Sequence, residues 1–171
     1  MAQIAAHSGV SKGTLYNYFD SKEALFIAHV EDSCALRVAT VFDGVTVTGD
    51  IVSTLHLLAE RTLNLLLSRQ GVEMYRLVVS IAPKFPDLAA TFFAAGAERA
   101  LGHMREFLER ANAAGQLQMA DPRFAAEQFF ALCQTKLCLR RRLNLPEEAP
   151  EATQQVIDGA VEMFLRMYGP N

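Results

Sequence analysis

The sequence predicts an all-α protein. Apolar residues recur at steps of three and four along most of the chain, which is the spacing of one helix face. Clusters of glycine, proline and aspartate separate these runs, and after the opening residues no stretch alternates apolar and polar side chains as a strand does. With 171 residues, of which 51% are hydrophobic, the chain can bury the core of one domain, or of one domain with a small appendage.

The opening residues predict two short helices joined by a turn. Residues 2–7 form the first helix, and residues 8–10 form a turn in which Gly9 adopts the positive φ that a tight reversal requires. Ser11 is placed to cap a second helix that begins at Lys12. The apolar residues expected to pack this unit together are Ile4, Ala5, Val10, Leu15 and Phe19. We therefore expect a helix-turn-helix unit.

Three longer helices follow from apolar stripes that each predict one buried face. The stripes are Phe26, Val30, Cys34, Val38 and Val41; Ile51, Leu55, Leu58, Thr62 and Leu65; and Leu101, Met104, Leu108 and Ala111. Residues 43–50, with Asp-Gly at one end and Gly-Asp at the other, separate the first of these helices from the second. We expect Arg69, Gln70 and Gly71 to end the second helix, and residues 83–86, bounded by prolines, to form a bend.

Two further helices are expected towards the end of the chain. Asp121 is a suitable N-cap, and Pro122 would occupy the first helical position, where a missing N–H costs nothing. This helix is expected to end near Leu143. A last helix should run from about Glu151 to Tyr168, before a Gly-Pro pair.

Composition excludes several classes of protein. A net charge of −3 and a pI near 5.8 argue against a protein coated in nucleic acid, so any DNA contact must be local. No apolar run reaches the roughly 18 residues of a membrane span, and the first residues lack the order of a signal peptide, so we expect a cytoplasmic location.

The cysteines and histidines do not predict a metal site. Cys34, Cys133 and Cys138 lack the spacing of zinc ligands, and the four histidines are scattered, so we expect core cysteines, no metal and no cofactor. Paired carboxylates, a nucleophile elbow and a phosphate-binding loop are also absent from the sequence. We therefore expect that the protein is not an enzyme.

The second short helix carries candidate DNA-binding residues. In a helix-turn-helix unit this helix enters the major groove with its N-terminus first, so its first turn lies nearest the bases. The residues of that turn are Ser11, Lys12, Gly13 and Thr14. The side chains placed to contact phosphates are Tyr16, Asn17, Tyr18 and, at the start of the next helix, Lys22.

This part of the sequence resembles a known family. The run IAAHSGVSKGTLYNYF at residues 4–19, followed by SKEALF at residues 21–26, closely resembles the DNA-binding signature of the TetR/AcrR family of bacterial transcriptional repressors. The resemblance implies base contacts by Lys12, Gly13 and Thr14, and phosphate contacts by the other candidates, Ser11 included. It implies a DNA-binding domain over residues 1–30 and a larger helical effector-binding and dimerisation domain over residues 31–171. Members carry one more helix before this signature, so the first helix of the DNA-binding domain is expected to be missing from this chain.

The middle of the chain supplies candidates for a pocket. Large, adaptable apolar side chains of this kind line cavities that have few polar groups, and the resemblance implies a hydrophobic effector pocket. The candidates are Met74, Tyr75, Phe85, Phe92, Phe93, Met104, Phe107, Phe129 and Phe130, with His56, His103, Arg76 and Gln134 as polar anchors. Arg140, Arg141 and Arg142 are interpreted as a solvated helix end that interacts with the helix dipole, and not as a DNA contact.

The last two predicted helices have too many apolar residues for one buried side. Two such helices from each of two copies would form a four-helix bundle, so we expect a homodimer. The interface candidates are Phe130, Leu137, Ile157, Val161, Phe164 and Tyr168.

The combined prediction is a ligand-responsive repressor that binds palindromic operator DNA as a dimer. A small, mainly apolar effector would release it, and residues 21–42 would act as the lever between the pocket and the DNA. The alternative is an effector-binding helical dimer that does not bind DNA in this form. An all-α enzyme is a further alternative for which the sequence offers no catalytic motif.

Overall fold

The computed structural model describes residues 1–170 and leaves Asn171, the last residue of the predicted second domain, outside the described part. The described residues form ten α-helices and one π-helical segment, without a β-strand, which confirms the all-α prediction. The helices are α1 (Ala2–Ser8), α2 (Lys12–Tyr18), α3 (Lys22–Phe42), α4 (Ile51–Leu67), α5 (Arg69–Ile81), α6 (Pro86–Phe93), the π segment (Ala94–Glu98), α7 (Arg99–Ala113), α8 (Pro122–Cys133), α9 (Lys136–Arg142) and α10 (Pro150–Tyr168).

Side-chain caps fix where most of these helices begin. The Ser11 hydroxyl accepts the N–H of Thr14 at 3.0 Å at the start of α2, and the Asp121 carboxylate accepts the N–H of Phe124 at 3.0 Å at the start of α8. Such a cap contributes about 1 kcal/mol, because it satisfies an N–H that has no partner within the helix. Gly9 ends α1 with a φ of 68°, as the turn prediction required.

Two predicted helix boundaries are wrong. Arg69, Gln70 and Gly71 do not end α4; they form the first turn of α5, and α4 already ends at Leu67. The physical reason is Ser68, whose hydroxyl donates to the Leu65 carbonyl at 2.8 Å and accepts the N–H of Gly71 at 3.0 Å. The Ser68 side chain therefore stabilises both the end of α4 and the beginning of α5.

The second wrong boundary lies near the end of the chain. The helix that begins at Pro122 stops at Cys133 instead of continuing to Leu143. Gln134 leaves the helical region with φ −88° and ψ 72°, and Thr135 caps the new helix α9. The break changes the direction of the chain beside the cavity described below.

The main core lies between α4, α7, α8 and α10. Phe107, Phe129 and Phe164 are its largest fully buried side chains. The rings of Phe129 and Phe164 meet edge to face, with centroids 5.3 Å apart, an arrangement that aromatic pairs favour. A smaller buried cluster joins α3 to α6 and the π segment.

The residues predicted for the interface between copies lie mostly within this core. Ile157, Val161 and Phe164 are buried within their own chain, because α10 packs its apolar stripe on α4 and α8, and Leu137 is buried on α9, which packs on α4 and α5. Tyr168 is half-buried and donates a hydrogen bond from its hydroxyl to Gln128. The large exposed apolar side chains of α8 and α10 are Phe124, Met163 and Met167.

The arginine triplet of α9 is not the solvated helix end that the sequence predicted, because all three side chains are half-buried and bonded to other parts of the fold. Arg140 pairs with Glu148 at 3.2 Å, and Arg141 pairs with Glu147 at 2.6 Å. Arg76 of α5 donates to the carbonyl groups of Arg141 and Arg142 at 2.6 and 2.7 Å. These carbonyl groups lie at the end of α9, where the Arg141 carbonyl also accepts the N–H of Asn144 at 3.2 Å, and Arg76 adds side-chain donors as a C-terminal cap.

A pair of glycine substitutions tests the contact between α4 and α5. In Gly71→Ala the new Cβ would lie 2.5 Å from the Leu65 carbonyl oxygen, so we expect the free energy of unfolding to fall by about 1–3 kcal/mol. In the control Gly102→Ala the Cβ meets nothing within 4 Å, and alanine should stabilise α7 by about 0.5–1 kcal/mol. Urea denaturation measures both, and equal effects of the two substitutions would contradict the close approach.

A buried thiol makes stability depend on pH. Burial raises the pKa of Cys133 to about 12, so above pH 9 the unfolded chain loses this proton while the folded chain keeps it. The free energy of unfolding should therefore fall as the pH rises, by about 1.5 kcal/mol between pH 8 and pH 10 from this group. Urea denaturation at both pH values measures the change. In Cys133→Ala the free energy of unfolding should fall less between the two pH values. A fall as large as in the wild-type protein would show that Cys133 does not cause it.

Candidate functional site

The helix-turn-helix unit formed by α1 and α2, called the head below, and the start of α3 present the predicted contact residues to solvent. Every candidate from Ser11 to Lys22 named above is exposed. The hydroxyl groups of Ser11 and Thr14 lie 2.8 Å apart and share a hydrogen bond, which orders the first turn of α2. The Tyr16 and Tyr18 side chains are 46% and 79% exposed, respectively.

Cationic groups stand at both ends of α2. The Lys12 ammonium lies 5.7 Å from the centroid of the Tyr16 ring, one helical turn further on. Such a cation–π contact limits where the ammonium can point without removing its charge. Lys22 is exposed at the start of α3, where the Ser21 hydroxyl accepts the N–H of Ala24. The exposed carboxylates of Asp20 and Glu23 lie in the same stretch, so the two lysines are local positive charges in a region whose side-chain charges balance.

The apolar residues of the head are only partly covered. Ala5 is buried, whereas Ile4, Leu15 and Phe19 are half-buried and Val10 is 39% exposed. No residue of α2 is buried. Of the five residues expected to pack this unit together, only Ala5 is therefore buried.

A cavity of about 460 Å³ lies beyond the head, and residues of α3, α4, α5, α6, the π segment, α7 and α8 line it. Five of the predicted pocket residues line this cavity, namely Met74, Tyr75, Phe92, Phe93 and Phe130. Met104, Phe107 and Phe129 do not line it, because they are buried in the main core. Phe85 is exposed at the start of α6 and does not line it either.

The four residues predicted as polar anchors also divide into one that lines the cavity and three that do not. Gln134 lines the cavity, at the break between α8 and α9. Arg76 instead caps α9, and the His103 ring packs on Phe42 with centroids 5.2 Å apart. His56 lies 3.6 Å from the carboxylate of Asp158. Of these four residues, only Gln134 can reach a molecule in the cavity.

The sequence analysis missed the wall that α3 and α4 provide. Cys34, Val38 and Val41 of α3 line the cavity, as do Thr62 and Leu65 of α4. All five belong to the predicted apolar stripes, so periodicity marked them as inward-facing but could not separate cavity lining from packed core. The one detectable signal was Thr62, a polar residue within an otherwise apolar stripe.

The cavity has a buried end and an exposed end. Cys34, Val38, Val41, Thr62 and Val72 are the buried lining residues. The exposed lining residues are Phe93, Ala97, Glu127, Ala131 and Gln134, from the π-segment side and from α8 with the break that follows it. A molecule that enters between these elements would therefore meet α3 and α4 last.

The cavity wall carries two guanidinium groups and, at its exposed end, the carboxylate of Glu127. Arg37 of α3 donates to the Gln70 side chain at 2.9 Å, and Arg142 of α9 stacks on the Tyr75 ring at 4.1 Å. Neither arginine pairs with a carboxylate among the described residues. Burial raises the pKa of the Cys34 thiol, against the opposing effect of Arg37, so this thiol is neutral near pH 7.

Helix α3 is common to the head and to the cavity. It runs without interruption for 21 residues, a length of about 30 Å at 1.5 Å per residue. Lys22 is at its first position, beside the head, and Val41 near its last position lines the cavity. One helix therefore connects the two candidate sites.

Within residues 1–170, the structure offers no group of three or more side chains that could hold a metal ion. No described helix is long and apolar enough to cross a membrane.

The chain is similar to known regulatory proteins over its whole length. Residues 1–29 match the model described as bacterial regulatory proteins, tetR family, and residues 53–170 match the model described as AefR-like transcriptional repressor, C-terminal domain. No curated protein matches the chain.

Solved structures agree with these matches. The flavonoid-responsive regulator FrrA is 33% identical with a TM-score of 0.81, over 100% of this chain and 87% of that one. A TetR family transcriptional regulator from Pseudomonas syringae pv. tomato str. DC3000 is 26% identical with a TM-score of 0.72, over 99% of this chain and 85% of that one. A TetR transcriptional regulator from Agrobacterium tumefaciens, 24% identical with a TM-score of 0.76 over 98% and 82% of the two chains, has the same fold.

Proposed function

Because the chain belongs to the TetR family of bacterial regulatory proteins, we propose that it is a ligand-responsive transcriptional repressor. It binds palindromic operator DNA as a homodimer and is released by a small, mainly apolar effector. Residues 1–30 form the DNA-binding domain, and residues 31–171 form the effector-binding and dimerisation domain. The observation that carries this proposal is helix α3, which begins at the head and ends in the wall of the cavity.

The exposed face of α2 supports the DNA-binding role. The first turn of this helix, from Lys12 to Thr14, meets base edges, and Gly13 lets the backbone approach closely. Tyr16, Asn17, Tyr18 and Lys22 donate to phosphates together with Ser11, and so set the position of the helix in the groove. A second copy of the protein binds the other half-site, about 34 to 36 Å away along the duplex.

Exposed apolar side chains support the homodimer. Phe124 on α8 and Met163 and Met167 on α10 lie on two helices that already pack on each other. Pairing these helices with their copies would give the four-helix arrangement that the sequence led us to expect. Because the apolar stripe of α10 is occupied within its own chain, the contact between copies uses the outer face.

The lining of the cavity supports an apolar effector with aromatic character. Phe92, Phe130 and Tyr75 offer ring faces and edges, and a volume of about 460 Å³ falls in the range of drug-sized sites. One structural relative is a flavonoid-responsive regulator, and we extend that class of planar, ring-containing molecule to this chain. The effector releases DNA only if it binds the DNA-free arrangement more tightly, because equal affinity for both states shifts nothing.

DNA duplexes that the protein selects from a randomised library should contain a palindrome. Two lysine variants should then distinguish contacts to phosphates, which position the protein, from contacts to bases, which give sequence specificity. In fluorescence anisotropy, Lys22→Ala should weaken binding to selected and random DNA alike, and lower the slope of log K against log salt by about 0.9. Lys12→Ala should mainly relax the preference for the selected duplex.

Lys84→Ala is the matched control, since Lys84 is an exposed lysine outside the first 30 residues. It should leave the affinity and the slope unchanged. Failure to enrich any duplex would favour the alternative, an effector-binding helical dimer that does not bind DNA in this form.

Filling the cavity should block the response without affecting DNA binding. Gly96 of the π segment lines the cavity, and a Cβ there meets nothing within 4 Å, so Gly96→Leu places new atoms where the effector would lie. With flavone as the effector, we expect release of the selected duplex from the wild-type protein, and a flavone requirement at least about tenfold higher for the variant.

Gly102→Leu is the control, because Gly102 has the same free space but does not line the cavity. Flavone should release DNA from this variant as it does from the wild type. Equal flavone responses in all three proteins would place the effector elsewhere.

A further inference from the structure

Thr62 is unlike every other hydroxyl-bearing residue that the structure describes. It is the one buried polar side chain, with only 6% of its surface exposed, and its Oγ1 has no hydrogen-bond partner. Three other buried side-chain atoms also make no hydrogen bond, but two of them lie 3.2 and 3.7 Å from a carboxylate oxygen, and the third belongs to an amide whose nitrogen is hydrogen-bonded. Those atoms are Arg105 Nε, Gln116 Oε1 and Arg140 Nε.

The absence of a partner for Thr62 is not a property of its helix. A helical threonine can usually satisfy its hydroxyl with the carbonyl group three or four residues earlier. Thr54, also on α4, does so with the Asp50 carbonyl at 2.9 Å, and Thr40 of α3 does so with the Arg37 carbonyl at 2.7 Å. Thr62 makes no such bond, and it lines the cavity.

The rest of the buried end of the cavity cannot satisfy this hydroxyl. Val38, Val41 and Val72 surround that end with apolar groups, and the neutral thiol of Cys34 is only a weak donor. A buried hydroxyl without a partner is unfavourable, whereas a valine would occupy the same space without that penalty. The hydrogen bond must therefore come from a molecule in the cavity, which is water until a ligand displaces it.

We infer that Thr62 is the specificity-determining residue of the cavity, and that its ligand is an apolar, ring-containing molecule with one hydroxyl or carbonyl oxygen at its inner end. A threonine hydroxyl donates to a carbonyl oxygen and accepts from a hydroxyl, so both kinds of ligand satisfy it. The inference rests on the proposed function, because it takes this cavity as the effector site. It adds which end of the ligand is polar and which side chain recognises that end.

Two probes of nearly equal shape test this selectivity. We would measure binding of 2-naphthol and 2-methylnaphthalene by calorimetry, since they differ only in a hydroxyl against a methyl group. The wild-type protein should bind 2-naphthol about 3- to 10-fold more tightly than 2-methylnaphthalene, because that ratio corresponds to the net free energy of one hydrogen bond. Thr62→Val should remove that preference without weakening the binding of 2-methylnaphthalene.

Three controls separate recognition from folding. Thr62→Ser keeps the hydroxyl and should keep the preference for 2-naphthol. The Tm of Thr62→Val should equal or exceed that of the wild-type protein, because valine removes a buried hydroxyl that has no partner. Gly96→Leu should weaken the binding of both probes, which locates them in the cavity.

The outcomes distinguish this inference from the function on which it rests. If both probes bind in the cavity with equal affinity, or if Thr62→Val leaves the preference intact, the role of Thr62 is overturned while the cavity remains a binding site. If neither probe binds, or if Gly96→Leu changes neither affinity, the assignment of the cavity as the effector site fails and the inference fails with it.

Discussion

The arrangement of this molecule depends on the continuity of helix α3. Its first turn is capped by Ser21 beside the head, and its other end is held by Arg61, whose guanidinium donates to the carbonyl groups of Val41 and Asp43 at 3.2 and 2.6 Å. Between these ends α3 packs on α4, α6, the π segment and α7. Because a helix is stiff along its axis, we propose that a displacement of the cavity wall is transmitted along α3 to its first turn, beside the head.

Helix α5 holds the opposite side of the cavity to the rest of the fold. Gln70 near its start accepts from Arg37 of α3, and Tyr75 and Arg76 further along bind Arg142 and the end of α9. A ligand between these helices therefore contacts elements that are already linked by charged and aromatic groups. The guanidinium groups of Arg37 and Arg142 form no ion pair among the described residues, so they remain able to donate to a polar group of a ligand.

The order of helices could be predicted from the sequence because caps and apolar periodicity act locally. The boundaries at Ser68 and Gln134 could not, since Gly71 resembles a helix end in sequence but here permits a close approach to Leu65, and no glycine or proline marks the break at Gln134. The pocket prediction separated core from cavity poorly for the same kind of reason. Phe129 and Phe130 are neighbours of one residue type, and only the packing of α8 decides that Phe130 lines the cavity while Phe129 does not.

Affinity and selectivity arise from different parts of this cavity. Burial of apolar surface gives about 25 cal/mol per Å² whatever the chemical identity of the ligand, so the aromatic and aliphatic walls favour many molecules of suitable size. A single buried hydroxyl contributes much less to affinity, but it penalises every molecule that leaves it without a partner. Thr62 lies on α4, which packs on α3. The ligand that satisfies this hydroxyl must reach the buried end, where it also contacts the helix that continues to the head.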